Sequence, residues 1–247
     1  MSVRHGNTYD LSGRVVLIPG GLGGLGSAVS RACVEAGARV VVAGRHEHVT
    51  ALDELRQSLG DAGDLVSFER ADVLNEDEVE RLVWYVVNQH GHLDILVNVI
   101  GGYSAGRPVT GLDLAAWRSM MDLNLTSAFL LAKHATHAMQ QQDWGRIIHV
   151  SSRAARAGRR NAAAYAVAKN AVLALTEIQA DELHDTQITV NAILPSIIDT
   201  PANRTSMPDA DFSRWPKAEE VARVILFLAS DDASLISGAS IPVYGRA

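Results

Sequence analysis

The chain has 247 residues, within the roughly 200–250 that one α/β domain often reaches, and its 47% hydrophobic content can fill a large core. An excess of 28 acidic over 22 basic residues, net −6, argues against a nucleic-acid partner. A single cysteine, Cys33, excludes an internal disulfide framework and a cysteine-rich zinc site, and suits a reducing compartment.

No apolar run approaches the roughly 18 residues that span a bilayer, so no membrane partner is expected. The polar opening, Met1–Asp10, lacks the apolar stretch of a signal peptide and reads as a flexible tail on a soluble, cytoplasmic protein. Beyond it, short runs rich in Val, Ile and Leu predict strands at Arg14–Ile18, Arg39–Ala43, Leu65–Glu69, Leu93–Val97, Arg146–Val150, Ile188–Ile193 and Ser240–Val243. Their lack of polar alternation fits parallel strands covered on both faces. Helical periodicity falls between them at Gly24–Ala36, Asn75–His90, Asp113–Gln142 (with a break allowed), Asn161–Leu183 and Ala218–Ala229. Strand, helix, strand repeated through right-handed crossovers makes a doubly wound parallel α/β sheet of about seven strands in one domain, 1–247. The least regular stretch, Thr200–Pro216, is a candidate mobile flap over a substrate.

The first strand runs into Pro19-Gly-Gly-Leu-Gly-Gly-Leu-Gly26 and then a helix, the context in which glycines let the backbone approach a pyrophosphate at a helix N-terminus. Gly20, Gly24, Leu25 and Gly26 are the candidate contacts. At the end of the second strand, Gly44 stands where an acidic residue would meet the adenosine ribose of NAD, and Arg45 follows. A guanidinium can hold a 2′-phosphate bidentately, which favours NADP(H); an arginine packed on adenine, with NAD as cofactor, is the alternative.

Downstream, Ser152, then Tyr165 and Lys169 in Tyr165-Ala-Val-Ala-Lys169, place a strand-end hydroxyl before a phenol and an ammonium on one helix face. A phenol of ordinary pKa about 10 is a poor base near neutrality, and the neighbouring Lys169 ammonium, helped by an oxidised nicotinamide, would lower that value. With Asn124 in Asp122-Leu-Asn-Leu-Thr126 and the GxxxGxG spacing of Gly20, Gly24 and Gly26, the chain resembles the short-chain dehydrogenase/reductase family, including its 3-oxoacyl-reductase-like members, from about Leu11 to Val243.

That resemblance implies a Rossmann-like fold and an oxidoreductase acting on a small-molecule ketone or secondary alcohol. Tyr165 would be the general acid/base, Ser152 would hydrogen-bond the substrate oxygen, and Asn124 would hold a water that relays protons to Lys169. It also implies cofactor contacts from Asp72 and Val73, from Asn98 and Gly101, from the Ile198 backbone and from Thr200. Helix capping is the competing role for Asp72, with Asn75 and Asp77 as rivals. The chain departs from the family at Pro19, which removes an N–H and a hydroxyl, at Val99-Ile100, and at Ser196 after Pro195, which adds a hydroxyl to the pocket. Homotetramers or dimers through the helices around Asn124 and Tyr165 are a further implication.

Substrate signals are weaker. Arg153, Arg156, Arg159 and Arg160 follow the catalytic serine; one or two could face the pocket and bind a carboxylate or phosphate, or all could face solvent or a subunit. Trp215 could line the pocket or pack the framework, while Trp84, Trp117 and Trp144 read as packing residues. Carrier-protein-bound acyl groups are disfavoured, because Gln140–Asp143 and His184–Thr186 make a poor basic docking surface. Nine histidines show no ligand set, and no metal is expected. A non-catalytic NAD(P) sensor is the rival function; retention of Asn124, Ser152, Tyr165 and Lys169 speaks against it.

Overall fold

A computed structural model describes residues 9–46 and 48–246. Seven strands, β1 (Val15–Pro19), β2 (Arg39–Gly44), β3 (Val66–Arg70), β4 (Ile95–Asn98), β5 (Gly145–Val150), β6 (Ile188–Pro195) and β7 (Ser240–Val243), pair in parallel in the order β3-β2-β1-β4-β5-β6-β7. The order reverses between β1 and β4, so the C-terminal strand ends open a crevice there. The helices are α1 (Gly24–Glu35), α2 (Val49–Leu59), α3 (Glu76–His90), α4 (Leu114–Met121), α5 (Ser127–Gln140), α6 (Ala154–Ala157), α7 (Ala163–Glu182), α8 (Pro201–Ser206) and α9 (Ala218–Ala229).

Strand alternation divides the core. Val16 and Ile18 of β1 with Val40 and Val42 of β2 face one apolar layer, against Val29 and Cys33 of α1 and Val221 and Ile225 of α9. Val15, Leu17, Val41 and Ala43 face the other, against Val79 and Leu82 of α3 and Leu131 and Met139 of α5. With both faces covered, β1 has no room for a polar side chain, which is why it reads as a continuous apolar run.

Several predicted boundaries move for local reasons. The fourth strand starts at Ile95 because Asp94 turns its carboxylate to the Val15 N–H at 2.7 Å and to Arg14. The helix predicted from Asn161 starts at Ala163, since Asn161 has φ 63°. The long Asp113–Gln142 segment is interrupted by one π-helical turn, Asp122–Thr126, between α4 and α5. Helix α2, not among the predicted elements, buries Leu52 and Leu55. Residues 1–8 of the predicted tail lie outside the described residues, whereas the Tyr9 ring packs 5.9 Å from that of Phe227. Trp84 is not a packing residue: it points off the Val79–Val86 stripe and is 65% exposed.

Candidate active site

The phosphate loop is built by close approach. A methyl on Gly26 would stand 2.1 Å from the Gly20 carbonyl oxygen, and one on Gly21 would stand 2.4 Å from Val42. Gly20 itself has φ 80°, which glycine adopts without strain. Ser30 of α1, buried, donates to the Gly21 carbonyl at 3.0 Å and ties the loop to its helix. The first turn of α1 carries no acidic residue and its cap, Gly23, offers no side chain, so its N–H groups stay open toward an anion. These features fit a dinucleotide pyrophosphate.

At the adenosine end, Arg45 is exposed beside Gly44, where a Cβ would meet only atoms 3.9–4.0 Å away. Register pairs Gly44 with Arg70, whose Nε donates to the Arg45 carbonyl at 3.1 Å. Two guanidinium groups therefore flank this opening; Arg70 was missed from sequence because only strand register brings it there. Asp72 does not cap α3. Asn75 does, and one Asp72 oxygen accepts from the Leu74 N–H, with Val73 buried beside it. Asn98 is buried and its Oδ1 accepts from the Ile100 N–H at 3.1 Å.

A cleft of about 850 Å³ opens at the C-terminal strand ends, and Leu25, Gly101, Ser152, Tyr165, Lys169 and Ile198 are among its walls. Lys169 is buried and its Nζ donates to the Val150 carbonyl at 2.8 Å. Desolvation lowers its pKa to about 8. A methyl on Gly101 would fall 2.8 Å from that Nζ and 2.9 Å from Asn124 Oδ1, so a larger residue there would displace both side chains. Asn124, in the π turn, accepts from Gly102 N at 3.2 Å and donates to Gly102 O at 3.1 Å and Met120 O at 3.0 Å. Its amide thus holds the loop beside the lysine.

The Tyr165 phenol lines the same cleft as Ser152, and its ring meets Tyr103 edge-on at 5.0 Å. The Lys169 ammonium is committed to Val150 O, and burial holds Tyr165 above its ordinary 10, opposed by the nearby Ser152 hydroxyl. Ser151, the neighbouring serine, donates to the Lys169 carbonyl at 2.7 Å and secures β5 to α7, which leaves Ser152 as the hydroxyl facing Tyr165.

Other predicted contacts change. Ser196 lines the cleft, but its hydroxyl donates to the Tyr244 carbonyl at 2.7 Å, so it brings the pocket no free proton. Trp215 does not line the cleft; it is 8% exposed and its ring packs 4.9 Å from that of Phe212. Thr200 lies against Gly24 and caps α8, accepting from Asn203 N at 3.3 Å. Asn203, unforeseen, donates to the Ile198 carbonyl at 2.8 Å, leaving the Ile198 N–H as the backbone group for a carboxamide. The predicted flap contains α8 and reaches the cleft through Asn203, Ser206 and Met207. Among the described residues no group of three His, Cys, Asp or Glu could hold a metal ion; His134 instead lies 3.5 Å from Glu76.

A family model described as enoyl-(acyl carrier protein) reductase matches residues 20–245. The chain belongs to the short-chain dehydrogenase/reductase family. It is similar to cis-4-hydroxycyclohexanecarboxylate dehydrogenase of Sinomonas cyclohexanicum, at 35% identity over 94% of this chain and 95% of that one. Among solved structures of the family, one from Mycobacterium ulcerans aligns with TM-score 0.90 at 35% identity, covering 96% of this chain and 90% of that one. The structure of ElxO with NADP bound aligns with TM-score 0.88 at 27% identity over 94% and 97%. As a short-chain dehydrogenase/reductase, the protein is an NAD(P)-dependent oxidoreductase acting on alcohol or ketone groups, and no helix among its described residues is long and apolar enough to cross a membrane.

Proposed function

We propose that the protein reduces a ketone, or oxidises the matching secondary alcohol, with NADP(H) as cofactor and Tyr165 as general acid/base. The observation that carries this reading is the convergence of Ser152, Tyr165 and the buried Lys169 on one cleft at the end of β5. A phenol kept above its ordinary pKa stays protonated near neutrality, which suits it to donate a proton to a carbonyl oxygen.

The glycine loop and the α1 N-terminus would hold the pyrophosphate, Arg45 and Arg70 the 2′-phosphate, and Asp72, Val73 and Asn98 the adenosine half. Ile198 and Thr200 would orient the nicotinamide, which when bound supplies or accepts the hydride. Ser152 hydrogen-bonds the substrate oxygen and stabilises its growing charge during reduction. Tyr165 delivers the proton in the same direction and takes it back in alcohol oxidation. Lys169 stands behind with its ammonium on Val150, and Asn124 fixes the Gly101–Gly102 backbone against it. The 35% identical relative, by its name, acts on a ring-borne secondary alcohol, which supports a cyclic alcohol or ketone here. The same reading places the protein in the cytoplasm as a homotetramer or dimer.

Tyr165→Phe tests the assignment. Carbonyl reduction falls about 10²–10⁴-fold in kcat/KM while NADPH affinity, read by fluorescence, is retained. Wild-type turnover by the variant would remove Tyr165 from the reaction.

A further inference from the structure

The cleft has an unusual charge for this chain. The protein carries a net charge of −6, yet no Asp or Glu lines the cavity among the described residues, while Arg153, Arg159 and Lys169 all do. Lys169 is spent on Val150 and the tyrosine assembly. On the proposed reading the dinucleotide phosphates go to the glycine loop and to Arg45 and Arg70; of these only Leu25 of the loop reaches the cleft wall, and it carries no charge. Arg153 leans over the Tyr244 ring at 5.8 Å, which leaves Arg159 as the cation to account for.

The backbone aims Arg159. After the single turn α6, Gly158 has φ 61° and ψ 157°, a region open essentially to glycine alone. Asn161 follows with φ 63°, and its carbonyl accepts from the Gly106 N–H at 2.9 Å, which ties this loop to the one carrying Tyr103. The chain reverses between these points, and the Arg159 guanidinium comes 5.8 Å from the centre of the Tyr103 ring. That ring in turn lies 5.0 Å from the Tyr165 ring. One aromatic ring thus separates the guanidinium from the phenol. Arg156, by contrast, turns outward to Glu177 at 3.8 Å. No carboxylate among the described residues lies within 4.0 Å of Arg159.

We infer that Arg159 is a substrate-anion site: it binds a carboxylate carried on the far side of the substrate from the reacting ketone or alcohol carbon, with Tyr103 as the wall between them. A guanidinium meets a carboxylate through paired N–H donors, and Arg159 and Tyr165 line one cleft on either side of Tyr103. The substrate class is then an oxo or hydroxy acid, not a neutral alcohol. This rests on the reading of the cleft given under Proposed function.

Calorimetric binding of cyclohexanecarboxylate to the NADP⁺-loaded protein, against neutral cyclohexanecarboxamide, tests the inference without turnover. The acid binds about tenfold to a hundredfold tighter than the amide, Arg159→Met erases that preference, Arg159→Lys keeps part of it, and NADP⁺ affinity is unchanged in both. Equal binding of acid and amide by the wild type, or a preference that survives Arg159→Met, overturns it. So does a preference abolished by Arg153→Met and not by Arg159→Met. Coenzyme A that binds tighter than the small acid and depends equally on Arg159 would reassign the cation to a phosphate and overturn it too. Turnover of 4-oxocyclohexanecarboxylate and its methyl ester separates the two readings. Equal rates on acid and ester sink the anion site alone, whereas Arg159-dependent binding with no reduction of either sinks the oxidoreductase reading alone.

Discussion

On the proposed reading, a preference for NADP(H) rests on two surface side chains, Arg45 and Arg70. Both are exposed at the ends of adjacent strands, and the space over Gly44 between them admits a group that an acidic residue there would repel. A charge-assisted contact contributes about 1.5–3 kcal/mol. Arg45→Ala accordingly weakens NADP⁺ binding roughly tenfold to a hundredfold and leaves NAD⁺ binding nearly unchanged, as titration of each cofactor would read. Arg45 was legible in the sequence as the residue after a strand-end glycine; Arg70 was not, because only pairing between β2 and β3 sets it opposite. Tyr103 and Asn203 were hidden for a similar reason, each standing in an irregular segment whose path the rest of the fold determines.

The phosphate loop and the π turn are the elements on which the site stands. At Gly26 the contacts are backbone on backbone, so no side chain can rotate out of the way. Gly26→Ala would press a methyl against the Gly20 carbonyl. The variant loses measurable NADPH binding and is destabilised by about 1–3 kcal/mol, seen as a lowered Tm. The π turn at Asp122–Thr126 adds one residue to the helical path and brings Asn124 round to the Gly102 backbone. Sequence periodicity allowed a break in that long segment but did not place it, since one extra residue per turn leaves almost no mark on an apolar pattern.

At the scale of the whole molecule, a buried histidine makes stability sensitive to acid. His149 of β5 lies fully buried, its ring nitrogens close no hydrogen bond, and desolvation, with the Lys169 charge adding to it, lowers its pKa from 6.5 to about 4. The unfolded chain takes up a proton at this residue below about pH 6.5 and the folded chain does not until about pH 4, so its stabilising effect is complete above pH 6.5 and is lost as pH falls through that window. Chemical denaturation between pH 6.5 and 4 shows the wild type losing up to about 1.4 kcal/mol per pH unit more than His149→Asn. On the surface, Phe129 of α5 and Val167 and Ile178 of α7 are exposed apolar side chains, at 47%, 45% and 58%. These two helices are the proposed subunit contacts, and light scattering at micromolar protein gives the mass of a tetramer or dimer; a monomer would count against them.

What the sequence determined by itself was whatever depends on neighbours along the chain: the apolar strands, the glycine spacing that only close backbone approach explains, and the phenol and ammonium four residues apart on one helix face. What only the tertiary structure decided was how the polar groups are spent. Ser196 gives its proton to Tyr244, Trp215 goes into packing, Lys169 is held by Val150, and Arg159 but not Arg156 turns to the cleft. The physical reason is range. Propensity and periodicity act over a few residues, whereas hydrogen-bond partners and desolvation are set by segments tens to hundreds of positions apart that meet only when the sheet is complete.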